Sequence, residues 1–391
     1  MLFIIKSKLL FLFTIVLLTS CNTAIKTITV KNNLDILRDF ETVEISKTDL
    51  NLTDKDSLES YGILDIKEIP KTIQYVDNNG DGKADVMLFQ PNVNPNTHST
   101  FTVVKISKEG INPKEICYSR FVPERTDDYA WENDKVAFRV FGPTAQKMFE
   151  DGVEGGTLSS GVDCWLKRVE YPIINKWYKK HAEGTGTYHE DTGEGLDNFH
   201  VGTSRGCGGI AIKKDSTYYI SKNFIKYKTL MNGPIRTSFY LEYADWDAAG
   251  NTIKEHRIIT LDKGNNLSKF EISITGSDKV SVGLTLHEKK GTVTENDKNG
   301  WISYWEPLEG SALGTAVIAE PESISDMEKY ETDKKDLSNS FMQIKLNDKK
   351  AICYVGFGWK KSGQFSNNED WQNYLNAFAT KLKSPLEVSI N

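Results

Sequence analysis

Phe270, Ile272 and Ile274 alternate with Lys269, Glu271 and Ser273, and Val280, Val282, Leu284 and Leu286 alternate with Ser281, Gly283 and Thr285. Phe239, Leu241 and Tyr243 repeat the pattern, with Glu242 on the other side. A period of two is what a strand shows when one face is buried and the other meets water. Turn-forming clusters at 247–251 and 262–266 separate such runs. One helix is predicted: Ser366 and Glu369 form a capping box ahead of Trp371, Tyr374, Leu375, Phe378 and Leu382, and Pro385 follows its end. No repeat of 20–50 residues occurs, and strands do not alternate with helices, which excludes solenoids and nucleotide-binding α/β folds. The expected fold is dominated by β structure: a small β-rich lobe over 27–115, a large β-sandwich over 116–391, and a C-terminal helix docked on it as a lid or strut.

The N-terminus reads differently. Lys6 and Lys8 precede an apolar run at 9–18, and Leu18-Thr19-Ser20-Cys21 resembles a bacterial lipoprotein box. Residues 1–20 are therefore expected to be a signal peptide, Cys21 the lipidated first residue of the mature chain, and 21–26 a tether. The apolar run is short for a membrane-spanning helix, which needs about 20 residues. Residues 22–26 hold no acidic cluster of the kind that accompanies surface export, so the expected location is the periplasmic face of an outer membrane. The full chain carries a formal charge of −6, and removal of 1–20, with two lysines and no acid, takes it to −8. That balance excludes an ordinary nucleic-acid binder. The remaining cysteines, Cys117, Cys164, Cys207 and Cys353, show no CxxC spacing, and buried thiols are the expectation.

Four places carry candidate chemistry. Asp77, Asn79, Asp81 and Asp85, with Gly82 at the turn, suit either a structural calcium or an Asx-rich turn; position twelve is Leu88, so the bidentate glutamate of an EF-hand is missing. Residues 120–139 pack arginines and acids around Tyr129 and Trp131. Trp131 could stack on a sugar face while Arg125, Arg139 and Glu132 bind its polar groups, or the stretch could be a salt-bridged surface loop. Residues 188–209 set Tyr188, His189 and Glu190 in a glycine-rich loop, where His189 suits a general base, and end in Arg205 beside Gly206. His287 falls by parity on the Ser281/Gly283/Thr285 side of its strand, an open sheet face, and Arg236 follows Asn232-Gly233-Pro234 at a strand start.

Residues 123–139, 163–178, 188–209 and 356–386, spread over most of the mature chain, resemble a lipoprotein family of marine polysaccharide-degrading Bacteroidetes that has been filed as a domain of unknown function. The resemblance implies the β-supersandwich of mutarotase-like proteins and an ulvan oligosaccharide dehydratase activity. Such an enzyme removes the C5 proton of a non-reducing-end glucuronate or iduronate linked to 3-sulfated rhamnose. It expels the C4 hydroxyl as water, leaving a 4,5-unsaturated uronyl residue. The reaction needs a cation against the carboxylate, a base for the C5 proton and an acid for the leaving hydroxide. By chemistry alone these are Arg125 or Arg205 as neutraliser, His189 as base, and Tyr188 or Tyr129 as acid, with His287 an alternative acid or base. Trp131, Glu132, Arg139, Glu190 and Arg236 are the expected substrate contacts. The implied partners are anionic ulvan oligosaccharides and, through the lipid, a membrane; no nucleotide, nucleic acid or cofactor beyond a structural calcium is expected. A polysaccharide lyase, which expels a sugar instead of water, and a glycan-binding lipoprotein are the alternatives.

Overall fold

A computed structural model describes residues 24–53, 55–106 and 114–391. Where the sequence alternates, the chain forms one long antiparallel sheet. Its strands run in the order Phe224–Met231, Arg236–Tyr243, Asn251–Asp262, Leu267–Thr275, Lys350–Trp359, Ser311–Ile318, Trp301–Leu308 and Thr292–Asn296. Phe270 lies opposite Ile259 on one side and Cys353 on the other, so apolar residues line up across the pleat. A second antiparallel sheet, ordered Thr217–Tyr219, Cys207–Lys214, Lys279–Thr285, Asn339–Lys345 and Ile324–Tyr330, faces it. Ile210, Val282, Leu284 and Met342 pack against Phe239, Ile259, Phe270 and Val355 in one continuous core. The architecture is the expected β-sandwich of mutarotase-like type.

A third antiparallel sheet, Tyr118–Val122, Asp128–Glu132, Ala137–Val140, Asp163–Lys167 and Gly195–Leu196, extends this core with Trp131, Phe138, Val140 and Cys164. It carries two helices the hydrophobic pattern does not announce, α1 (Pro143–Glu150) and α2 (Ile174–Ala182). The strand at 279–285 differs from expectation: Ser281, Gly283 and Thr285 are as buried as Val280 and Val282, because sheet, loops and the Arg205 side chain cover both faces.

The small lobe has a core of its own, built on Ile28, Val30, Ile45, Met87, Phe89 and Val103. It is not confined to 27–115. The C-terminal strand Glu387–Ile390 returns to pair with Ala24–Lys31, placing Ile390 opposite Ile28. The C-terminal helix, α3 (Asn368–Lys383), lies one residue off the predicted cap. Asn367 accepts from Asp370 N–H and the Asp370 carboxylate accepts from Ser366 N–H. Its Trp371 is fully buried, donates to Ser303 Oγ at 3.0 Å and lies where a Cβ on Gly314 would come within 2.6 Å of the indole. The four cysteines at 117, 164, 207 and 353 are buried thiols. Among the described residues no helix is long and apolar enough to cross a membrane.

Candidate functional site

One corner of the third sheet gathers titratable side chains. Arg139, inward-facing on Ala137–Val140, is 6% exposed and sits among three carboxylates. Its Nη2 donates to Asp163 Oδ2 at 2.6 Å and to Asp197 Oδ2 at 2.8 Å, and Nη1 lies 3.5 Å from Asp128 Oδ2. The guanidinium also lies over the Trp165 and Phe141 rings, 5.1 Å from each centroid. Three carboxylates exceed what one guanidinium balances. Burial, only partly offset by Arg139 and then Arg125, pushes Asp128 up to about 6. Asp163 rises through burial and the Asp197 charge beside it, and Asp197 through burial.

Tyr188 roofs this cluster. Its hydroxyl oxygen accepts from Arg139 Nη1 at 3.3 Å and from Arg125 Nε at 3.1 Å. Two guanidinium donors use both lone pairs, so the phenolic proton is left for another acceptor. Arg125 ends the 3₁₀ turn Pro123–Arg125, and Thr126 and Asp127 follow it in left-handed backbone conformation. It is half-buried, and among the described residues no carboxylate lies within ion-pair distance of it.

His189, largely exposed, lies beside Tyr188 with ring centroids 4.5 Å apart and planes tilted by 57°. Its Nδ1 is 2.7 Å from the Asp197 carbonyl oxygen. A carbonyl can only accept, so Nδ1 carries the hydrogen and the neutral ring presents its lone pair at Nε2. The loop that holds it closes on itself: Asp197 N–H donates to the Tyr188 carbonyl at 2.8 Å. Gly195 makes the return possible, since it has φ +112° and a Cβ there would lie 1.9 Å from the Leu166 carbonyl oxygen. Asp191 accepts from Gly193 and Gly195 N–H and from Arg168, and Glu194 accepts from Lys176 and Trp177, so these acids fold the loop.

Helix α2 completes the corner. Glu132, paired with Lys167 Nζ at 2.8 Å, accepts from the Ile173 and Ile174 N–H groups at its N-terminus. Trp177 and Tyr178 face Trp165, and Tyr178 donates to Asp128 Oδ2 at 3.0 Å. One turn on, His181 leans on Tyr188 at 4.6 Å, the planes tilted by 37°, and stands 6.5 Å from the His189 ring. Partial burial and then the Arg125 charge lower its pKa, which favours the neutral ring.

Of the residues expected at a site, Arg125, Tyr188, His189 and Arg139 come together here, and Glu190 is exposed on the same loop. The others do not join them. Tyr129 and Trp131 are core residues, hydrogen-bonded to Thr229 Oγ1 and Ser268 Oγ, and Trp131 stacks on Phe138, so neither can meet a sugar. Glu132 is the buried helix cap. Arg205 lies between the two large sheets, 2% exposed, donating to Ser160 Oγ and to the Thr203 and Ile210 carbonyls, which removes it as a neutraliser. Arg236 bridges the lobes through Asp262 and Glu44.

His287 lies beyond its strand in a left-handed turn, not on an open sheet face. Nε2 meets the His200 carbonyl at 2.7 Å and Nδ1 meets Glu306. Burial opposes its protonation, but the Glu306 hydrogen bond and charge outweigh it and raise its pKa. With both ring nitrogens engaged it is a strap, not an acid or base. In the 77–85 loop, Asp77 accepts from Gly80 and Gly82 N–H, Asn79 from Asp81 N–H and Asp81 from Lys83 N–H, which is Asx-turn bonding. Among the described residues no three His, Cys, Asp or Glu side chains converge as metal ligands. Cys21 and the signal segment lie outside the described residues.

The site residues that the pattern does not single out are Asp163, Tyr178 and His181, with Asp128 and Asp197 unremarked inside the two dense stretches. Tyr178 and His181 lie on one face of a short lysine-rich helix, a spacing of three that could have flagged them.

Among solved structures the chain is similar to a protein in glycosyl hydrolase family 38 from Enterococcus faecalis, with a TM-score of 0.51 and 8% identity over 94% of this chain and 47% of that one. It thus spans about half the length of that protein, and at this identity the likeness shows the fold alone. Over 366 residues it is 54% identical to the uncharacterized protein P7 of Formosa agariphila, with 93% of each chain covered. A family model of a domain of unknown function matches residues 30–388, nearly all of the described structure, and the chain therefore belongs to the DUF4861 family.

Proposed function

We propose that the protein is a hydro-lyase that eliminates water from the non-reducing-end uronate of ulvan oligosaccharides. Fold alone does not choose a substrate. The observation that carries the reading is a half-buried Arg125, bonded to the Tyr188 hydroxyl and, among the described residues, with no carboxylate in direct ion-pair contact, beside a His189 whose Nδ1–H is tied to a carbonyl and whose Nε2 is open. In this reading Arg125 pairs with the uronate carboxylate and holds the charge that spreads onto it as the C5 carbanion develops. His189 Nε2 takes the C5 proton, the C5–H electron pair becomes the C4=C5 double bond, and the C4–O bond breaks. Tyr188 gives its hydroxyl proton to the departing hydroxide, forming water, and Arg139 remains on the phenolate oxygen. Arg125 covers Tyr188 in the free protein, so its movement onto the carboxylate uncovers the acid. The proton on His189 then returns to Tyr188 across adjoining rings. The segments that resemble the ulvan-associated family support the substrate class, and the 18–21 box supports a lipid-anchored protein on the periplasmic side of an outer membrane.

The test is incubation with defined ulvan disaccharides, followed by mass and by the ultraviolet absorbance of a conjugated enoate. A product lighter by one water, lost in His189→Ala with an unchanged thermal transition, is the expected result. Shortened chains would make the protein a lyase. Saturable binding without chemical change would make it a glycan-binding protein. Either outcome overturns the dehydratase reading.

A further inference from the structure

Asp197 ties three parts of the site together. Its carbonyl accepts from His189 Nδ1 at 2.7 Å, its carboxylate accepts from Arg139 Nη2 at 2.8 Å, and its N–H donates to the Tyr188 carbonyl. The next three residues leave the third sheet and are held by the sandwich. Asn198 Nδ2 donates to Glu309 Oε2 at 2.8 Å. The buried Phe199 ring meets the His287 ring edge-on, with centroids 4.7 Å apart. The His200 carbonyl lies 2.7 Å from His287 Nε2, and the His200 ring lies 3.1 Å from the Asp336 carboxylate. His287 therefore grips this segment at two consecutive residues.

The two hydrogen-bond partners of His287 are both acceptors. Nε2 faces the His200 carbonyl and Nδ1 faces the buried Glu306 carboxylate, so each ring nitrogen must carry a hydrogen and the ring is an imidazolium. A neutral ring has one N–H and can keep only one of these bonds. The titratable groups around it are Glu306 and Tyr304 from Trp301–Leu308, Asp336 and Glu331 from the 331–338 loop, and His200 from the gripped segment. Glu288 and Lys289 follow it in the turn, Glu288 exposed and Lys289 bonded to the Thr332 carbonyl. Burial opposes the charged ring, but Glu306, the His200 carbonyl and Asp336 outweigh it and raise the pKa. Both bonds are thus complete below the ordinary histidine range, and one is lost as pH rises through the raised value.

We propose that His287 is a positioning residue: doubly protonated, it clamps the 198–200 segment to Glu306 and, through Asp197, fixes the His189 ring with Nδ1–H inward and Nε2 toward substrate. The clamp deepens the dehydratase reading, and its turnover measurements rest on that reading; its ring tautomers do not.

The test uses the whole protein, labelled at the histidine ring nitrogens and followed by long-range proton–nitrogen correlation from about pH 6 to 10. The signal lost in His287→Gln should be an imidazolium at the acid end. The signal lost in His189→Ala should be a single Nδ1–H tautomer there, and should become a mixture of tautomers as His287 loses its proton. In His287→Gln that mixture should be present at every pH. In Glu306→Gln the amide can donate to Nδ1 while a neutral ring keeps Nε2–H on His200, so the single tautomer should persist to alkaline pH. With a uronyl disaccharide, His287→Gln should lower kcat by about 10–100-fold and leave KM within about twofold. The wild-type kcat should fall at alkaline pH along the His287 titration, and Glu306→Gln should shift or remove that fall. A His287 ring neutral throughout, or a His189 tautomer that ignores the His287 titration, would overturn the proposal whether or not His287→Gln folds. A lower thermal midpoint in His287→Gln with an intact kcat and pH profile would overturn it too. No turnover in any of the proteins ends the dehydratase reading, and the ring tautomers then decide the clamp alone.

Discussion

Replacing Asp128 with asparagine should make the protein more stable at neutral pH, although the side chain sits beside Arg139. Burial raises its pKa from 3.8 to about 6, and the Arg139 and Arg125 charges recover only part of that cost. The folded chain therefore holds this proton more tightly than the unfolded chain. Its contribution to stability is complete below about pH 4 and is lost as pH rises through 6. A shift of roughly two pH units corresponds to about 3 kcal/mol. Asparagine keeps an acceptor for Tyr178 and Arg139 but cannot ionise. Denaturant unfolding of both proteins between pH 4 and 7.5 should show equal stability at the acid end. The variant should gain about 1.4 kcal/mol per pH unit through the window, up to about 3 kcal/mol at pH 7.5. The difference between the two proteins cancels the carboxylates outside this cluster, while Asp163 and Asp197, which interact with the Asp128 carboxylate, contribute to the same window. A constant offset across the range would mean that Asp128 is ionised throughout and that Arg139 more than balances its burial, refuting the reasoning.

Arg125→Gln should lower kcat/KM on a sulfated uronyl disaccharide by about 10²-fold, the loss of a charge-assisted contact made in the transition state, with an unchanged thermal midpoint. Arg205→Gln, read in the same assays, should lower the midpoint and leave kcat/KM close to wild type below it. Trp371→Ala should cost about 3–5 kcal/mol in urea unfolding, because Gly314 and the sheet beneath the indole cannot collapse into the gap.

Strands with one solvated face were legible because period two survives wherever water sets the polar positions, as at Leu267–Thr275. The α3 helix was legible for the same reason in a period of 3.6, and its cap was off by one because Ser366 and Asn367 are both good caps. The strand at 279–285 misled because small polar residues pack as well as apolar ones when a long side chain such as Arg205 covers them. Arg125, Tyr188 and His189 were within reach because they fall in dense loops. Tyr129, Trp131 and Glu132 are neighbours in sequence to site residues but point into the core, a distinction that only the third sheet and the fully buried Glu132–Lys167 pair define. Arg139 reads from the sequence as a substrate contact, but it is buried among three carboxylates that come from separate strands and loops, which no spacing rule joins.

The return of Glu387–Ile390 to the N-terminal strand has a mechanical meaning. Ala24–Lys31 is not an edge; it is flanked by His98–Lys105 on one side and by the C-terminal strand on the other. Tension entering at Ala24 along the strand axis cannot peel the ladder open one bond at a time. It must slide the strand against both neighbours together, so the load is shared across two sets of transverse hydrogen bonds. The pairing of Ile28 with Ile390 passes that load to the far end of the chain, and Arg38, which donates to the Ser384 carbonyl at 2.9 Å, adds a second tie just past α3. The lobe thus behaves as a clasp, and a pull on its leading strand strains the whole molecule before it can strip away any one part.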